Sequence, residues 1–89
     1  MKIEFDKSFL KSIDKLGEPI IKNRLIELIA ELEKAESIKD IQQIKKLSGF
    51  KDFYRIRIGN YRLGLEFSES ETLTLIYIGH RKDIYKFFP

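Results

Sequence analysis

The stretch FYRIRIGNYRLGLEF, residues 53–67, leaves few folds open to the chain that contains it. Apolar and polar residues alternate on both sides of Gly59-Asn60, the period of a β-strand, and a two-residue Gly-Asn step is of the kind that closes a hairpin. Such a loop sets the register: Ile58 opposes Tyr61, Arg57 opposes Arg62, and Arg55 opposes Gly64. Opposed residues point to the same side of a sheet. Tyr54, Ile56, Ile58, Tyr61, Leu63, Leu65 and Phe67 therefore form one apolar face that helices must cover. Arg55, Arg57 and Arg62 crowd the other face, where Gly64 leaves room beside them. Like charges directly opposed destabilise a sheet, so the Arg57–Arg62 pair breaks a local rule. Breaks of that kind tend to sit at functional sites. Several planar guanidinium forks on one surface suit an anion with several oxygens, such as an RNA phosphate. The structural alternative is that the two arginines splay apart, or that Glu66 on the same face neutralises them.

The remaining segments supply the cover. KIEF at 2–5 alternates as a short strand, and Asp6 is placed to cap a helix carrying Phe9, Ile13 and Leu16, with Gly17 at its end. Pro19 suits the first turn of a second helix, where its missing N–H costs nothing. Ile21, Leu25, Leu28, Ile29 and Leu32 form the apolar stripe of that helix. Ile38, Ile41 and Ile44 recur every third residue in SIKDIQQIKKLS, read as an ordered connector over 37–48. Strands are expected at 52–58, 61–67 and 72–79, the last two joined by the polar turn SESE. LTLIYIG is apolar at both parities, which places the last strand centrally in the sheet. Beyond it, Asp83 is placed to start one helical turn, and Ile84, Phe87 and Phe88 to pin the tail. The order β-α-α-β-β-β predicts one α+β domain over 1–89. Two N-terminal helices pack on one face of a small, mainly antiparallel sheet, and a short helical turn follows it.

Charge follows the hairpin. Residues 1–44 carry eight Lys/Arg against nine Asp/Glu, whereas residues 45–89 carry nine against five. Such an excess either meets a polyanion or serves solubility alone. There is no cysteine, which fits a reducing compartment and points to the cytoplasm. Met1 is followed at once by charged residues, unlike a signal peptide, and no apolar run approaches the roughly 20 residues of a membrane span.

His80 is the only histidine, and it is followed by Arg81, Lys82 and Tyr85. Each has an ordinary structural reading: a hydrogen-bonded histidine at a strand end, a packed tyrosine in a helical turn. Metal-ligand clusters, cysteine nucleophiles, Walker loops and Ser-His-Asp sets are absent from the sequence. What is present suits one reaction. RNA cleavage through its own 2′-OH needs a base for that hydroxyl, cations for the phosphorane charge, and a proton for the departing 5′ oxygen. Arginines supply the cations, and His80 or Tyr85 can move protons. Such chemistry requires no cofactor and no metal.

IKKLSGFKDFYRIRIGNYRLGLEF at 44–67 and IYIGHRKDIYKFFP at 76–89, in this order and spacing, resemble the RelE/ParE superfamily of small toxins from type II toxin–antitoxin systems. The resemblance spans nearly the whole chain and implies the same α+β fold. Its RelE branch implies a ribosome-dependent mRNA endoribonuclease that cuts the codon in the ribosomal A site by 2′-OH attack. On that branch the basic residues of the first hairpin strand, Arg55 and Arg57, bind RNA; Lys51 and Lys82 of this chain are further candidates for RNA contact. Arg62 matches the transition-state arginine, Arg81 the arginine of the last motif, and Tyr85 the C-terminal tyrosine that acts as base or stacks on the substrate. His80 stands where some members carry lysine, and Glu66 does not clearly match the glutamate of other relatives. The general base is thus left between His80 and Tyr85. The implied partners are a cognate antitoxin, whose C-terminal segment covers the basic face, and the ribosome carrying mRNA. No membrane or small-molecule cofactor is implied. The ParE branch, which poisons DNA gyrase, and an inactive antitoxin-binding module are the competing readings.

Overall fold

The structure, a computed structural model, describes residues Met1–Pro89. Strand β1 (Lys2–Phe5) leads through Asp6 into helix α1 (Lys7–Asp14), and Pro19 opens helix α2 (Pro19–Lys34). A 3₁₀ turn (Ile38–Asp40) precedes strands β2 (Ile44–Lys46), β3 (Phe53–Ile58), β4 (Tyr61–Phe67) and β5 (Thr72–His80). Helix α3 (Ile84–Phe87) ends the chain. The sheet has five strands in the order β1-β5-β4-β3-β2. Three of its pairings are antiparallel, and β1 runs parallel to β5.

Local chemistry sets the boundaries. The Asp6 carboxylate accepts the Ser8 backbone N–H at 3.0 Å, satisfying one of the free donors at the start of α1. Helix α1 ends at Asp14, earlier than Gly17 implied, and the Leu16 N–H turns back to the Ile13 carbonyl at 3.0 Å. Leu16 is buried all the same. Along α2, Leu25 and Leu32 are buried, while Ile21, Leu28 and Ile29 pack half-buried against the core. Segment 37–48 is a correction: its triplet of isoleucines spans two different elements, the 3₁₀ turn and β2. Ile44 opposes Ile56, so the edge of the sheet is built from residues expected to form a connector.

Strand β5 is apolar at both parities because both of its faces are covered, and a bulge divides the work. Gly64 opposes Tyr77, but Leu65 opposes Leu75, so Ile76 is an extra residue in β5. Leu73 and Leu75 face the helices before it. After it the parity is inverted, and Ile78 joins the helix-side core while Tyr77 and Gly79 turn to the other face. Strand β1 stops opposite Leu75, and α1 takes over the exposed edge. There the buried Ser12 hydroxyl accepts the Ile78 N–H at 3.0 Å and donates to the Phe9 carbonyl at 2.7 Å.

Candidate functional site

The hairpin has the register that its loop dictates. Arg57 opposes Arg62, Arg55 opposes Gly64, and Ile58 opposes Tyr61. Gly59 takes φ +57°, which L side chains adopt only with strain, as the first central residue of such a turn requires. Lys45 opposes Arg55 from β2 and widens the basic face. The Arg62 guanidinium is tethered to the turn, its Nη1 donating to the Gly59 carbonyl at 2.9 Å and the Tyr61 carbonyl at 3.0 Å.

No carboxylate relieves this crowding. The ion pairs of the molecule are Lys2–Glu4 at 3.6 Å, Lys51–Glu69 at 3.8 Å and Lys86–Asp83 at 3.4 Å, and none uses an arginine. Glu66 lies between Phe53 and Thr74 in the ladder and pairs with no cation. Burial first, and then the neighbouring charges of Arg55 and Arg57, hold the Arg62 guanidinium below its ordinary range. Arg81 acts in the same direction and Tyr85 in the opposite one, so both reach Arg62 electrostatically from the end of the chain. Arg62 remains a cation at any physiological pH.

The chain end folds onto this same face. The Arg81 N–H donates to the Asn60 carbonyl at 2.8 Å, tying the end of β5 to the hairpin turn, and the Asp83 N–H returns to the His80 carbonyl at 2.8 Å. Ile84 in α3 and Phe88 just after it point into the molecule at 0% and 1% exposure, whereas Tyr85 stays 56% exposed. The room beside Gly64 is thus occupied, by the ring of Phe88. Phe87, expected to be pinned inward, is exposed but stacks on Tyr77 at 5.1 Å between ring centres.

Arg55, Arg57 and Arg62 share one face of the hairpin, Arg81 and Tyr85 act on Arg62 electrostatically from the chain end, and two other candidates lie apart. His80 opposes Tyr61 on the helix side of the sheet, its ring edge-on to that tyrosine at 5.5 Å. Its Nδ1 accepts the Lys82 N–H at 3.2 Å, bracing the turn. Lys51 lies at the other end of the sheet from Gly59-Asn60, beside Glu69. Lys82 is exposed in the turn next to Arg81. Two cations were missed in the sequence. Lys45 sat in the supposed connector, and only its opposition to Arg55 marks it. Arg24 reads as a solvated position on α2, yet its Nη1 lies 3.4 Å from where a Gly59 Cβ would be.

A cavity of about 410 Å³ opens between α1, β5 and α3, lined by Lys15, Tyr61, Tyr77, His80 and Phe87 among others, with no arginine in its wall. No three His, Asp or Glu side chains converge on a common point. The resources of the basic face are therefore guanidinium and phenol, suited to binding phosphate and to stabilising charge that develops on its oxygens. No helix is long and apolar enough to cross a membrane.

Residues 3–85 match the family described as ParE toxin of type II toxin–antitoxin system, parDE. Toxin RelE3 of Methanocaldococcus jannaschii is 39% identical over 90 residues, with 100% of each chain covered. The crystal structure of the RelB–RelE antitoxin–toxin complex from Methanococcus jannaschii is similar in fold, with a TM-score of 0.82 and 35% identity over 97% of this chain and 99% of that one. The isolated E. coli RelE toxin matches with a TM-score of 0.64 and 26% identity, over 96% and 90% of the two chains.

Proposed function

This chain belongs to the ParE toxin family of type II toxin–antitoxin systems, and from that membership we propose that it works as a RelE-like mRNA endoribonuclease on the ribosome. The observation that carries the reading is the crowding of Arg55, Arg57 and Arg62 on one face of the hairpin with no carboxylate partner, onto which the chain end carrying Arg81 and Tyr85 folds. An unrelieved Arg57–Arg62 opposition suits a surface that stabilises a phosphorane, and an antitoxin segment that covers this face would meet the same charges.

In the proposed reaction the RNA 2′ oxygen attacks its neighbouring phosphorus, the P–O5′ bond breaks, and a 2′,3′-cyclic phosphate remains. The 2′-OH proton leaves to a base and a proton reaches the 5′ oxygen. Arg55 and Arg57 hold phosphates, while Arg62 and Arg81 answer the charge that develops on the equatorial oxygens. Tyr85, on the arginine side, is assigned the proton transfer or the stacking contact with the base. His80 is assigned the turn, because the sheet lies between it and Arg62. Metal-independence follows from a nucleophile that belongs to the substrate. Partnership with a small antitoxin is proposed by analogy with the RelE of Methanococcus jannaschii, which was crystallised with RelB. Cytoplasmic residence follows from the ribosomal target.

Induced expression followed by transcriptome-wide mapping of RNA 5′ ends tests this reading. New ends inside translated codons support it. Intact messages together with relaxed plasmid DNA would favour the gyrase poison that the family name also covers.

A further inference from the structure

Gly64 and Phe88 meet on the arginine side of the sheet, and neither has a part in the chemistry above. Glycine inside a strand weakens it and often marks a close approach. Here the approach is extreme: a Cβ on Gly64 would lie 2.5 Å from the Phe88 ring. That ring is 1% exposed and meets Phe53 edge-on, 5.5 Å between centres. One turn earlier Ile84, fully buried, reaches to 4.0 Å from where a Gly79 Cβ would be. Gly79 opposes Arg62, and Gly64 opposes Arg55. The two anchors of α3 thus sit directly across from the two arginines.

A four-residue helix is too short to hold its own shape, so the place of Tyr85 depends on those anchors. Its own ring is half exposed and makes no side-chain hydrogen bond. We propose that Phe88, seated on Gly64, is the positioning residue for Tyr85, holding the phenol over the arginine cluster. This rests on the reading of Tyr85 as a participant in RNA cleavage. Where Tyr85 sits is measurable on its own.

The test uses the full-length toxin with ring-¹³C tyrosine, and ribosomes programmed with a defined mRNA. In Gly64→Ala the new methyl evicts the Phe88 ring while every arginine stays. The maximal single-turnover rate should fall on the order of a hundredfold, as an ångström-scale misplacement predicts, with the half-saturating toxin concentration moving less than about twofold. The Tyr85 ring resonance, assigned through Tyr85→Phe, should move toward that of a mobile tyrosine. Adding Phe88→Leu to Gly64→Ala makes room for the methyl and should restore most of both signals. An unchanged rate in Gly64→Ala overturns the proposal, as does a lost rate with an unmoved Tyr85 resonance. If Gly64→Ala does not fold, Phe88→Leu alone decides, since it loosens the seat without a clash; unchanged rate and resonance overturn the proposal there too. If the parent protein cleaves no RNA, the resonance still reports whether Phe88 holds Tyr85, so the two readings fail separately.

Discussion

Arg57 stands directly opposite Arg62 across the β3–β4 hairpin, and neither has a carboxylate partner. Arg62→Ala removes one of the two and should relieve repulsion in the empty protein while removing a cation from the transition state. A loss of about 3 kcal/mol, a hundredfold or more in rate, is expected in single-turnover cleavage. Thermal stability should change little, because the hydrogen bonds lost to the Gly59 and Tyr61 carbonyls offset the relieved repulsion. A folded Arg62→Ala protein that cleaves at the parent rate would remove Arg62 from the chemistry.

Tyr85 and His80 lie on opposite sides of the sheet, and their variants should separate accordingly. Tyr85→Phe keeps the ring and deletes the hydroxyl, so a strong fall in rate assigns the hydroxyl to proton transfer. His80→Gln should change the rate far less. Equal rates for Tyr85→Phe and the parent would leave Tyr85 a stacking or packing residue.

The cap on α1 should appear in the pH dependence of stability. The Ser8 side-chain hydroxyl, and then its backbone N–H, hold the Asp6 carboxyl below its ordinary value. A carboxylate lowered on folding adds stability that is present above its unfolded value, near pH 3.9, and is lost as pH falls through the folded value. Urea midpoints of the parent and of Asp6→Asn should therefore differ most at neutral pH and converge as acid protonates Asp6. A constant gap from pH 7 to pH 2 would contradict the assignment.

Ser12→Ala deletes the acceptor of the buried Ile78 N–H just past the β5 bulge. Leaving that donor unpaired costs about 1–3 kcal/mol, and in a domain of this size each kcal/mol lowers Tm by roughly 4–8 °C. Differential scanning calorimetry checks it. No change in Tm would mean that another group satisfies the amide.

The hairpin was legible in the sequence because Gly59-Asn60 and strict alternation leave one register, and the register alone puts Arg55, Arg57 and Arg62 together. The Asp6 cap, Pro19 and the α2 stripe were legible for the same local reasons. Other features depended on contacts between distant segments. The Ile76 bulge reverses which side of β5 faces the core, and no local signal marks it. The strand at Ile44–Lys46 exists because β3 offers an edge, so its isoleucine spacing pointed elsewhere. His80 and Arg81 are neighbours in the chain, yet His80 is the last residue of β5 and Arg81 already lies in the turn beyond it, and only the pairing of His80 with Tyr61 shows that the histidine lies on the helix side. The space that Gly64 leaves was visible, but not that Phe88 would fill it.

The central claim is that the basic face cuts mRNA only when something else aligns it. Arginines and one phenol bind and stabilise, but they do not place the 2′ oxygen, phosphorus and 5′ oxygen in a row, an alignment worth several kcal/mol of barrier. The direct measurement is single-turnover cleavage by the purified toxin of one defined message, naked and positioned on ribosomes. The account predicts nearly intact naked RNA, cleavage within the reading frame on ribosomes, and abolition of that cleavage by the antitoxin. Efficient cutting of naked RNA would contradict it, and so would an uncut message on ribosomes.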